Sequence, residues 1–265
     1  MDASRQRERA RQSVVDLFLR QVRRQLPTPP DVEQLTGLRE ADDEIYEALE
    51  DAFRGSFEHV TELLRAYLPD IETVGSLGRV LDIGTGRGEW LQLLANADID
   101  AYGVDSNAVA VERCRSRDLK VVHGDALLHL TGLPDASIAA ITGFHVVEHL
   151  GSFDALIELI DQAVRVLRPG GLVIFETPNP ENVIVGASTF YLDPSHHRPV
   201  PPRLLEFLVW SRGFDDVELR FLHPMSVALI EEWEGLDQLR PLVDRLEGLL
   251  FGARDYAVLA RRVGS

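Results

Sequence analysis

The run FHVVEHL, from Phe144 to Leu150, places two histidines and a glutamate inside an otherwise apolar stretch. Burying three ionisable groups costs free energy unless each finds a partner. His145, Glu148 and His149 stand at i, i+3 and i+4, which on a helical turn is one face. Two imidazoles and a carboxylate so arranged make a ligand set for a divalent metal ion. A fourth ligand must come from elsewhere, and the run YLDPSHHRPVPP offers Asp193, His196 and His197. A metal-free alternative makes His145 a general base, because an imidazole near its ordinary pKa can deprotonate a hydroxyl at neutral pH. On these readings His145 and His149 are the candidate catalytic residues.

A second group precedes it. VLDIGTGRGEW puts Gly84, Gly86 and Gly88 after an apolar β-type run and before a helical one. Glycines there let the chain turn sharply and let a ligand approach the backbone. Asp105 ends the next strand about 20 residues on, where doubly wound sheets place an acid against ribose hydroxyls. Asp125 ends the strand after that, in HGDA. The ligand is a nucleotide, either a dinucleotide or S-adenosylmethionine. The spacing G-x-G-x-G departs from the pyrophosphate fingerprint G-x-G-x-x-G. Asp82, just before the loop, would repel a phosphate but attract an ammonium. Both points favour S-adenosylmethionine.

The elements that must position these residues alternate. From Gly78 onward, short β-type runs (RVLDIG, DAYGVD, KVVHGDA, SIAAITGFHVV, LVIFETP) are separated by helical runs such as FDALIELIDQAVRVLRPGG. The fourth of these strands is expected to run into Glu148, and that last helix to close at Pro169 and Gly170–Gly171. DVELRFL and RDYAVLARRV follow as strands. This alternation predicts a mostly parallel α/β sheet, doubly wound with helices on both faces. Ligands of such sheets bind at the carboxyl edge of the strands, where FHVVEHL and the histidine loop both lie. Residues 1–75 read as an amphipathic helical extension or cap, and residues 76–265 as the α/β domain. Within the latter, 223–252 is helical by periodicity, as a lid or a subunit contact. These helices raise the expectation of a homodimer.

The 265 residues are 45% hydrophobic and 26% charged, enough for one sizeable core. Net charge is −16 and the pI about 4.9, with no basic face evident, which disfavours nucleic acid as a partner. The lone Cys114 cannot pair within the chain, which points to a reducing compartment. No run of 18 apolar residues occurs and the first residues carry no apolar leader, so no membrane span and a cytoplasmic location are expected.

VLDIGTGRGEWL, AYGVD, VVHGDAL and VLRPGGLVIFETPNPEN together resemble the ordered motifs of class I S-adenosylmethionine-dependent methyltransferases, over about residues 78–220. The resemblance implies a seven-stranded Rossmann-like sheet whose last strand is antiparallel. It implies that Asp82, Gly84 and Gly86 line the methionine part of the cofactor, that Asp105 takes the ribose, and that Asp125, Ala126 and Leu127 meet the adenine. Arg54, in FRGS, would lie near the cofactor's carboxylate. FHVVEHL is similar to the E-x-x-E-H motif of metal-dependent O-methyltransferases of ubiquinone biosynthesis and of small-RNA 3′ ends. That likeness implies His145, Glu148, His149 and His196 as ligands of a divalent metal, Mg²⁺ or Mn²⁺. His145 stands where the family has a glutamate, which makes the set richer in nitrogen and leaves the metal open: Mg²⁺ prefers oxygen, while three imidazoles suit Mn²⁺, Fe²⁺ or Zn²⁺.

The block ETPNPENVIVGASTFYLDPSHHRPVPP, with AFRGSFEHV and GRGEWLQLL, resembles methyltransferases of bacterial polysaccharide synthesis. That group includes O-antigen chain terminators and mycobacterial enzymes acting on mannose polysaccharides. It implies transfer of a methyl group to a saccharide hydroxyl. The alternatives are an O-methyltransferase of a small catechol or quinone precursor, and a non-catalytic scaffold of the same fold.

Overall fold

The computed structural model describes residues 54–229 and 237–264. One seven-stranded sheet organises them. Strands β1 (Val80–Ile83), β2 (Ala101–Asp105), β3 (Val121–His123), β4 (Ile138–Phe144) and β5 (Leu167–Pro178) pair in parallel. Strand β7 (Asp255–Arg262) runs antiparallel to both β5 and β6 (Phe214–Leu222). The order is β3-β2-β1-β4-β5-β7-β6. This is the doubly wound, seven-stranded α/β sheet with one reversed strand.

The central strands VLDI and IAAITGF are buried along their whole length. A strand covered on both faces needs continuous apolar runs rather than alternation. Odd-numbered Leu81, Ile83, Ile141 and Phe175 face one core with helices α6 (Phe153–Val166) and α8 (Pro202–Ser211). Val80, Ala140, Ile174 and Leu259 face the opposite core. That side is closed by α1 (Phe57–Leu64), α2 (Leu68–Glu72) and α3 (Glu89–Asn96), through Val60, Leu64, Ile71 and Trp90. Fully burying each such side chain is worth about 1.5–3 kcal/mol. Helix starts follow local chemistry. Asn107 caps α4 (Ala108–Arg115), Asp125 caps α5 (Ala126–Thr131), Ser152 caps α6 and Asn182 caps α7 (Val183–Ala187).

Three expectations need correction. Strand β4 stops at Phe144 instead of reaching Glu148, because His145 takes a left-handed φ of 58° that no strand continues. Helix α6 ends at Val166, and LRPGG joins β5, with Leu167 paired to Ile138. His223–Leu229 is irregular; α9 (Arg240–Phe251) begins later, after residues 230–236, which lie outside the described set. The expected helices within residues 1–53 lie outside it too. No helix of the described residues is long and apolar enough to cross a membrane.

Candidate functional site

The carboxyl edge of the sheet carries two adjoining cavities. The first, about 510 Å³, opens where β1 gives way to the glycine loop. Gly84 and Gly86 hold φ of 66° and 52°. A Cβ on Gly84 would come within 2.5 Å of Val146 Cγ2, so the glycine also lets the FHVVEHL turn pack against the loop. The Asp105 carboxylate fixes the loop: it accepts the Gly86 N–H at 2.7 Å and the Asn107 N–H at 2.8 Å. Gly84, Gly86, Asp105, Asp125, Ala126, Leu127 and Arg54 all face this cavity. Asp125 also accepts the Leu128 N–H at 2.7 Å as the cap of α5. Asp82 stands one step behind the wall. It is 2% exposed and accepts Thr142 Oγ1 at 2.7 Å. Burial pushes its carboxyl up to about 7, against the hydrogen bond from Thr142. Arg54 approaches the Phe144 carbonyl at 3.5 Å, at the mouth of both cavities.

The second cavity, about 460 Å³, shares Arg54, His145 and His149 with the first. Here Glu148, His149 and His196 each offer a ligand atom within 4.8 Å of the others. Their outer atoms are tied. His196 Nδ1 donates to the Phe190 carbonyl at 2.6 Å, leaving Nε2, 3.9 Å from Glu148 Oε1, with the lone pair. Ser195 Oγ donates to Asp193 at 2.5 Å, so His149 Nδ1 must be the donor in its 3.0 Å contact with that hydroxyl. His149 therefore also keeps its lone pair on Nε2. Burial holds this ring below the ordinary imidazole range, which keeps it neutral. Thr177 donates to the second oxygen of Glu148 at 2.9 Å. Two imidazoles with fixed tautomers and a buried carboxylate fit a divalent metal.

His145 belongs elsewhere. Its left-handed backbone swings the ring off the face that helical spacing assigns it. Nδ1 contacts Glu148 Oε1 at 3.2 Å, and Nε2 points to Glu176 and Asp255. Burial opposes charge on this ring, but the hydrogen bond with Glu148 and the nearby carboxylates of Glu176 and Asp255 outweigh it and push it up to about 10. A protonated imidazole cannot accept a proton, so the expectation of a base near its ordinary pKa fails for His145 in this state. His197 presents its backbone N–H to the Glu148 carbonyl, and its side chain is exposed.

Sequence reasoning missed Glu176, Asp255, Ser195, Tyr67 and His223. Glu176 was visible as an acid inside the apolar run LVIFETP. Asp255 carried no such signal; only an antiparallel β7 brings its first residue to this edge, opposite Pro178.

A family model described as "Methyltransferase domain" matches residues 43–219. The chain belongs to the class I S-adenosylmethionine-dependent methyltransferases. It is 34% identical to a SAM-dependent methyltransferase of Archaeoglobus fulgidus, with a TM-score of 0.74 over 82% of this chain and 99% of that one. It is 30% identical to a probable S-adenosylmethionine-dependent methyltransferase of Mycolicibacterium smegmatis over 63% of each chain. It is 32% identical over 42% of its length to a tRNA (carboxymethyluridine(34)-5-O)-methyltransferase of Mus musculus, and covers 15% of that protein. The chain thus spans less than two thirds of the length of these curated relatives. S-adenosylmethionine is the cofactor of the family.

Proposed function

We propose that this methyltransferase transfers the methyl group of S-adenosylmethionine to a hydroxyl of a saccharide, with a divalent metal held by Glu148, His149 and His196. One observation carries the reading: the cofactor cavity and the 460 Å³ cavity meet at a wall built from Arg54, His145 and His149, with Glu148 and His196 beside it. An acceptor in the second cavity would face a methyl group presented from the first. The transfer breaks the sulfonium S–CH₃ bond, forms an O–CH₃ bond and releases the hydroxyl proton. Proximity and in-line geometry supply most of the rate. A bound metal would lower the pKa of the acceptor hydroxyl. The chain's part is to hold it: Phe190 and Ser195 set the two imidazole tautomers, and Thr177 orients the carboxylate.

His149 Nε2 cannot serve as ligand and as base at once. If no metal binds, it is the neutral imidazole that would take the proton. The saccharide assignment rests on the resemblance of the TPNPEN…FYLDPSHHRP block and on a cavity lined by both polar and apolar side chains. The murine relative raises an RNA acceptor, but a net charge of −16 opposes binding a polyanion.

The test is transfer of labelled methyl to short mannosides, other saccharides, catechols and tRNA, with and without EDTA. Label on a saccharide, lost with EDTA and restored by Mn²⁺ or Mg²⁺, supports the full reading. Label on catechols or tRNA alone overturns the saccharide. EDTA-insensitive transfer makes His149 the base.

A further inference from the structure

We propose that His145, Glu176 and Asp255, which line the 460 Å³ cavity, form a second divalent-cation site suited to a transition-metal ion. It is distinct from the Glu148, His149 and His196 group, and it does not depend on the acceptor being a saccharide. Three chain segments bring it together at the carboxyl edge: His145 directly after β4, Glu176 near the end of β5, and Asp255 at the start of the reversed β7.

The separations decide between an ion site and a hydrogen-bonded network. His145 Nε2 stands 3.6 Å from Glu176 Oε1 and 3.9 Å from Asp255 Oδ1. Hydrogen bonds of this kind run about 2.7–3.2 Å. Ligand atoms that share one ion at about 2.0–2.2 Å lie roughly 3–3.5 Å apart. The observed spacing is too wide for direct bonds and close to what a shared ion requires. The three ligand atoms lie within 4.8 Å of one another.

The other polar atoms of all three residues are already occupied. His145 Nδ1 meets Glu148 Oε1 at 3.2 Å, which turns Nε2 toward the pair of carboxylates. The buried Tyr67 hydroxyl donates to Glu176 Oε2, leaving Oε1 inward. His223 Nδ1 holds Asp255 Oδ2 at 2.9 Å, leaving Oδ1 inward. Every inward ligand atom thus has an outward partner that orients it, the usual support of a metal ligand. Glu176 is 3% exposed; without metal its carboxylate is offset by the His145 imidazolium, and a bound ion would take over that role and release the ring's Nε2 proton to solvent. One imidazole and two carboxylates favour Mn²⁺, Fe²⁺ or Zn²⁺ over a site made of oxygen alone. Three protein ligands facing a cavity leave coordination positions for an acceptor oxygen.

The experiment counts ions. Chelator-stripped full-length protein is dialysed to equilibrium against Mn²⁺ or Zn²⁺, and bound metal is measured per chain. The wild type is expected to hold two ions, Asp255→Asn one, His196→Ala one, and the double variant none. Glu176→Gln, close in shape to the native residue, repeats the test if Asp255→Asn fails to bind S-adenosylmethionine. A single wild-type ion lost in Asp255→Asn but kept in His196→Ala still supports this site, and removes the metal from the proposed transfer mechanism. Wild-type stoichiometry in both Asp255→Asn and Glu176→Gln overturns the second site, as does a wild type that binds no ion.

Discussion

At the scale of single residues, burial separates two acids beside the glycine loop. Asp105 has its oxygens on backbone N–H groups of the loop. Asp82 is sealed beneath, and burial raises its carboxyl to about 7. The unfolded chain releases that proton near pH 4. Between about pH 4 and 7 the folded state therefore binds one proton more, and its stability falls as pH rises. Asp82→Asn removes the titration. The melting temperature of the variant relative to wild type should rise from pH 5 to pH 8, with a difference on the order of a few kcal/mol at the upper end. Parallel melting curves across that range would show that Asp82 is not perturbed.

At the scale of elements, the same side chain can end a helix or bind a ligand. Asp125 caps α5 and faces the 510 Å³ cavity beside the glycine loop. Asparagine caps as well as aspartate. Asp125→Asn should therefore leave the melting temperature within about 2 °C, since a change under ~0.5 kcal/mol moves it little. If the carboxylate also receives the adenine amine, the variant should bind S-adenosylmethionine about tenfold more weakly by titration calorimetry, the equivalent of one charge-assisted hydrogen bond. Unchanged affinity would leave Asp125 as a cap only.

At the scale of the molecule, the helices before the sheet are part of the site. Tyr67, between α1 and α2, reaches Glu176 across the core, and its ring packs 5.2 Å from Phe144. Arg220 of β6 grips Asp70 of α2 at 2.8 Å, with both side chains about a quarter exposed. Burial ranks the two ties. Tyr67→Phe strands a buried carboxylate oxygen and should cost about 1–3 kcal/mol. Asp70→Asn breaks a solvent-screened pair and should cost under ~1 kcal/mol. Chemical denaturation of both variants checks the order, and a reversed order would mean that the surface pair, not the buried phenol, anchors the helices.

The sequence by itself determined the doubly wound sheet, because strands buried on both faces demand continuous apolar runs between amphipathic helices. It also located the glycine loop after the first strand and Asp105 and Asp125 at the close of the next two apolar runs, because the sharp turn needs glycines and the runs stop where the acids begin. It marked Glu148, His149 and His196 as neighbours through motifs at the carboxyl edge. The tertiary structure alone decided the rest. A single left-handed residue took His145 out of that set and turned it toward Glu176. The antiparallel last strand is implied by the resemblance, but only its register in the fold, with Asp255 opposite Pro178, brought Asp255 to His145. Neither is legible from local spacing, because one depends on a backbone angle and the other on which strands pair.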